Sequence, residues 1–175
     1  NVFVFVVPLI TMRTFAEEKK VGTYDLLVSY PIRPWELLLA KYLGAIGLVL
    51  GLLLLTGLFP AIVVWKGEPY VPQILSSYLG LALFLLCYVA VGIVGSLLTD
   101  KQIIAAFIGY GAFFLMILVQ WLAYVLSAPW DRFFANYLLV AHLESFRNGL
   151  IFVGALACYV CITTMILMAG YWKLR

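Results

Sequence analysis

The chain has 175 residues, of which 66% are hydrophobic and only 11% charged, with a mean hydropathy of +1.11 and a formal net charge of +3. Water-soluble domains carry roughly 45–50% apolar and about 25% charged residues, so a soluble fold of this length could not cover so much apolar surface. The composition excludes a soluble globular domain and leaves lipid as the solvent.

Residues 1–12 are apolar, but as a helix they would reach only about 18 Å, too short to cross hydrocarbon. No basic segment precedes them, as one would in a signal peptide. They read as the tail of a span that begins upstream.

Residues 13–35 follow as a polar elbow. Its first part, RTFAEEKK, suits a short helix that Val21-Gly22 can end, because glycine readily takes the left-handed conformation after a helix. Thr23 can then cap a second short piece, TYDLLVSY, on which Leu26, Leu27 and Tyr30 share a face. Pro34, followed by Trp35 and Glu36, suits the first turn of the next span. Such an elbow either rests on lipid head groups or meets a protein partner. Glu17, Glu18 and Asp25 favour the partner, since anionic lipid would repel them.

Four apolar runs come next, and each exceeds the roughly 20 residues a helix needs to span. They predict transmembrane helices over 36–65, 73–98, 103–127 and 149–172. Barrel strands would alternate in segments of roughly ten residues, and no such pattern occurs. Small residues line several of these runs: Ala40, Gly44, Gly47 and Gly51; Ala105, Gly109 and Ala112; Gly92 with Ser96; and Gly154 with Cys158. In lipid such faces serve either ordinary helix packing or a seam between subunits. The three cysteines, Cys87, Cys158 and Cys161, all fall inside spans and read as small packing residues.

Residues 128–148 are too long for a turn and too polar for a span. Phe134, Tyr137, Leu138, Ala141 and Ser145 lie roughly on one side, with Asn136, His142, Arg147 and Asn148 on the other. The pattern predicts an interfacial or re-entrant helix that either closes the outer mouth of a pathway or covers helix ends.

Charge sets the orientation. Arg13, Lys19, Lys20, Arg33 and Lys41 flank the elbow, Lys101 follows the second full span, and Lys173 and Arg175 close the chain. The other side holds only Lys66, Arg132 and Arg147, so the elbow, the 99–102 turn and the C-terminus are expected in the cytoplasm. The same bias accounts for the positive net charge without nucleic acid as a partner.

The spans lack buried carboxylates, histidines or broken midplane helices, which ion-coupled carriers use to bind the driving ion. Tyr88, Tyr110 and Gln120 are the candidate pathway-lining groups. HExxH, GxSxG and Walker-type patterns do not occur, and His142 with Glu144 forms a lone HxE without a downstream cysteine pair. A self-powered carrier or channel, or an intramembrane enzyme using His142, Glu144 and Asp131, is the alternative. No metal-ligand set or catalytic residue is assigned.

The stretch PLITMRTFAEEKKVGTYDLLVSYPIRPWELLLAKYLG resembles the segment between the second and third spans of ABC-2 type permeases, the membrane subunits of ATP-binding cassette exporters. The matching positions are Thr11-Met12-Arg13, Phe15-Ala16-Glu17-Glu18, Gly22-Thr23, Asp25-Leu26-Leu27, Pro31 and Lys41. The nearest likeness is to the gliding-motility-associated and nitrous-oxide-reductase-maturation branches, and HLESFRNG, His142 to Gly149, also resembles the former. Asp25 stands where Glu is commoner, and Ala40 where Gly is usual. The resemblance implies an all-α polytopic bundle with six spans in all, the first and most of the second lying upstream. It further implies a coupling helix within 13–30 that docks on a separate ATPase. Its contact residues would be Arg13, Phe15, Glu17, Glu18, Gly22, Thr23, Asp25, Leu26 and Leu27. Two permease subunits and two ATPases, the latter carrying ATP and Mg, would form the exporter, with no cofactor on this chain.

Overall fold

The computed structural model describes residues 2–29, 32–67, 70–125, 139–150 and 152–174, without the side chains of 25, 26, 28, 123–125 and 139–141. Among the described residues there are nine helices and no strand. In chain order they are α1 (Val2–Thr11), α2 (Arg13–Val21), α3 (Tyr24–Ser29), α4 (Pro34–Thr56), α5 (Leu58–Lys66), α6 (Val71–Leu97), α7 (Gln102–Val125), α8 (Leu139–Arg147) and α9 (Val153–Leu174). Gly57 keeps a right-handed backbone, so α4 and α5 form one 33-residue rod, Pro34–Lys66. That rod, α6, α7 and α9 are the four helices long and apolar enough to cross a membrane. The all-α polytopic bundle read from the sequence is therefore the fold. Most of the 128–148 segment, with Phe134, Asn136, Tyr137 and Leu138, lies outside the described residues.

The bundle is built around α6. Of its most apolar 18-residue stretch 61% is buried, against 11–17% in the other three spans. It packs against α1, α2, α4, α7, α8 and α9. Apolar burial gives helices little net drive in lipid, so close fit must hold them together. Glycines on α6 and its neighbours provide that fit. A methyl group at Gly92 would collide with Thr11 of α1, and one at Gly80 with Phe146 of α8. At Gly109 of α7 it would press on Pro8 at 3.1 Å, and at Gly170 of α9 on Val94 at 3.0 Å.

Two prolines interrupt the helical ladders, and α6 answers both. Proline has no N–H, so the carbonyl four residues earlier loses its helical donor. A buried carbonyl left unpaired in this way costs roughly 1–3 kcal/mol. Pro8 releases the Val4 carbonyl, to which the Tyr88 hydroxyl donates at 3.2 Å. Pro60 releases the Thr56 carbonyl, to which the Tyr78 hydroxyl donates at 3.0 Å. Tyr88, one of the expected lining residues, is 1% exposed, and its hydroxyl lies between the Val4 carbonyl and the Gly109 carbonyl of α7, the latter at 3.4 Å. Tyr110 likewise donates to the Phe5 carbonyl of α1 at 3.0 Å.

The small-residue faces divide in two. Gly92, Ser96, Ala105 and Gly109 are buried and pack within the subunit. Ala40, Gly44, Gly47 and Gly51 are exposed, and nothing lies within 4 Å of a methyl added at any of the three glycines.

Candidate functional site

The elbow begins where α1 gives way to α2, and one serine makes the bend. Ser96 Oγ, from the last turn of α6, accepts hydrogen bonds from the Phe15 and Ala16 N–H groups, both at 3.0 Å. It donates in turn to the Met12 carbonyl at 3.2 Å. These are groups that an unbroken helix would pair internally, and a side chain inserted into that ladder is a recognised cause of a sharp kink. Gly92, one turn earlier, makes room for Thr11, so Gly92-x-x-x-Ser96 forms the socket of the joint.

The inner face of α2 is fixed to two spans. Phe15 and Ala16 are fully buried. Lys41 of α4 donates to the Thr14 carbonyl at 2.6 Å, pairs with Glu18 Oε1 at 2.5 Å and lies over the Phe15 ring at 4.7 Å. Lys19 donates to the Leu97 carbonyl at 2.7 Å, placing a cation at the C-terminal end of α6 where the helix dipole favours it. Asp100, 3.6 Å from Lys19, adds a weaker, mostly exposed ion pair. Hydrogen bonds to charged groups contribute roughly 1.5–3 kcal/mol each. Half-buried, Lys41 and Lys19 tie the elbow to α4 and α6 by charge-assisted hydrogen bonds.

The outer face is different. Arg13, Glu17, Lys20, Val21, Gly22 and Thr23 are exposed. Gly22 sits at φ +80, and the Thr23 N–H returns to the Glu18 carbonyl at 3.0 Å, which closes α2 in a left-handed turn that a side chain would strain. The Thr23 hydroxyl also turns back to that carbonyl. Leu27 is half-buried, whereas the side chains of Asp25 and Leu26, together with Tyr30 and Pro31, lie outside the described residues.

The expected contact set thus separates into two groups. Phe15 points into its own subunit, and Glu18 is turned toward Lys41, so neither is free surface. Arg13, Glu17, Gly22 and Thr23 remain on the outside, joined by Lys20. Ser96 and Lys19 were missed as anchors, because their partners stand about eighty positions away in the chain. The usable signal was a serine one helical turn after a glycine at the end of an apolar run.

At the opposite end of the bundle, α8 is held by Phe146, which is fully buried over Gly80. Gln73 Nε2 donates to the Arg147 carbonyl at 2.9 Å, and Gly149, at φ +82, ends the helix as Gly22 ends α2. Gln120, the third expected lining residue, borders a hollow between α6, α7 and α8.

Residues 1–170 match the family described as ABC-2 family transporter protein. No curated relative and no solved structure matches the chain.

Proposed function

The chain belongs to the ABC-2 transporter family, and from that premise we propose that it is the permease of an exporter in which the outer face of α2 receives the ATPase. Membership makes it a multi-pass membrane subunit of an ABC transporter, associated with an ABC ATPase. The finer reading places it in the cytoplasmic membrane of a bacterium or archaeon, with two permeases and two ATPases. ATP and Mg bind on the ATPases, and an unidentified substrate moves outward between the permeases.

One observation carries this reading: α2 is rigidly tied on one side and presents charge on the other. Arg13, Glu17 and Lys20 offer polar contacts to a protein groove, while Ser96, Lys19 and Lys41 fix the same helix to α6 and α4. A push on the outer face therefore becomes a tilt of two spans rather than a local flexing. Rigid-body movement of packed elements is the usual way such a signal travels. The outward stripe of Ala40, Gly44, Gly47 and Gly51 supplies a close-approach face for the second permease subunit.

The test separates docking from transmission. Glu17→Lys with Arg13→Glu should reduce ATPase copurification, with membrane insertion unchanged. Lys41→Met should leave the ATPase bound but abolish the response of its turnover to the permease. Full ATPase binding and stimulation in both variants would refute the assignment of α2 as the coupling element.

A further inference from the structure

The hollow at the far end of the bundle has a composition that the coupling machinery does not use. It measures about 350 Å³ and is lined by Ser77 and Leu81 of α6, Gln120 of α7, and Leu143, Glu144 and Arg147 of α8. Ser77 and Arg147 also border an adjoining hollow of about 310 Å³. Volumes of this size are typical of small-ligand sites. Its walls are fixed: Phe146 is locked over Gly80, and the Arg147 carbonyl is held by Gln73.

The charges in it are not used up. Glu144 and Arg147 stand three residues apart on α8, which brings their Cβ atoms to about 5–6 Å. They nevertheless form no ion pair with each other or with any other described residue. The Gln120 amide likewise makes no hydrogen bond to a described residue. The hollow therefore offers one anion, one cation and an amide beside Leu81 and Leu143, with the Ser77 hydroxyl, which already donates to the Gln73 carbonyl at 2.8 Å, left as an acceptor.

We propose that this hollow binds the headgroup of a zwitterionic amphiphile, an anionic phosphate or carboxylate joined to an ammonium, with the start of an alkyl chain against the two leucines. The guanidinium of Arg147 takes the anionic oxygens, for which its fork of donors is suited. The Glu144 carboxylate accepts from the ammonium, and Gln120 and Ser77 complete the polar ring. A purely anionic headgroup would leave Glu144 opposed, and a purely cationic one would leave Arg147 opposed. A molecule carrying both charges satisfies both. The inference rests on the membrane setting and the geometry of α8, and does not require ATP-driven transport. Such a headgroup has two sources: a phospholipid resident in the bilayer, or lipid-like cargo.

The experiment uses the intact protein in nanodiscs, with dioleoylphosphatidylethanolamine as the zwitterionic probe and dioleoylphosphatidylglycerol as the anionic one, retained lipid being counted by native mass spectrometry. Arg147→Leu should lower retention of both by about tenfold, the size expected for one lost charge-assisted contact. Glu144→Gln should lower retention of phosphatidylethanolamine alone. The exchange Glu144→Arg with Arg147→Glu should recover part of it, whereas Lys66→Leu, an exposed cation away from the hollow, should change nothing. Thermal unfolding of each variant identifies loss of fold, and the exchange pair keeps the test decisive if Arg147→Leu is unstable. Equal retention of phosphatidylethanolamine by wild type, Arg147→Leu and Glu144→Gln overturns the site. Tighter retention of phosphatidylglycerol, insensitive to Glu144→Gln, overturns the zwitterionic match. Adding ATPase and ATP then assigns the source: labelled lipid chased from the site is cargo, and lipid that stays is resident. Both results uphold binding, and neither depends on whether α2 is the coupling helix.

Discussion

The α4–α5 rod and α6 are almost equally apolar, with mean hydropathies of 2.5 and 2.3 over their best stretches, yet 11% of one stretch is buried and 61% of the other. Hydropathy thus marks both as spans and says nothing about which is central. What distinguishes them is the chemistry set among the apolar residues. The central helix carries glycines that receive Thr11 and Phe146, and hydroxyls of Tyr78, Tyr88 and Ser96 that reach carbonyls on its neighbours. The rod carries glycines too, but they open outward. In lipid, a helix is central because other helices need its notches and donors, not because it is more hydrophobic.

The sharpest way to break this comparison is to fill a glycine on each side. Gly92→Leu, where a single methyl group already collides with α1, should cost about 3 kcal/mol, the upper range for overpacking, and lower the unfolding temperature in detergent. Gly47→Leu should leave that temperature unchanged and instead reduce cross-linking between permease copies. A similar melt for both variants would mean that the rod's glycines are packed after all.

Truncation on the two helices is expected to have a smaller effect. Leu85→Ala removes a side chain that is 1% exposed and should cost roughly 2 kcal/mol, the low end for core leucines because lipid weakens the transfer contribution. Leu54→Ala, 79% exposed, should stay within about 0.5 kcal/mol in the same chemical-unfolding measurement.

The finest contrast uses the proline carbonyls. Tyr88→Phe should cost about 1 kcal/mol by orphaning the Val4 carbonyl. Pro8→Ala in that background should recover part of the loss, because alanine restores the missing N–H. Additive rather than compensating effects in the double-mutant cycle would show that the hydroxyl and the proline are unrelated.

Much of this architecture was legible in residue order. Runs long enough to span predicted the four crossing helices, and Gly22 was readable as a helix stop because only a left-handed turn fits there. The inner face of the elbow was not legible. Glu18 and Phe15 look like surface in a polar segment until Lys41 and Ser96, distant in sequence, are brought against them. The setting of Tyr88 was hidden for a related reason: its hydroxyl sits between the Gly109 carbonyl and the Val4 carbonyl that Pro8 releases eighty positions earlier. Counting back four residues from each internal proline, and asking which tyrosine could reach that level, would have found both Tyr88 and Tyr78.

The serine joint and the glycine seat of Phe146 are opposite ends of one beam. Ser96 and Gly80 are both on α6, roughly 24 Å apart at 1.5 Å per residue. No proline interrupts α6 between them, so the two ends belong to one continuous helix. If the proposed docking on α2 and headgroup binding both hold, a tilt begun at the elbow would reach the hollow within a single element, and the grip on the headgroup would follow the nucleotide cycle.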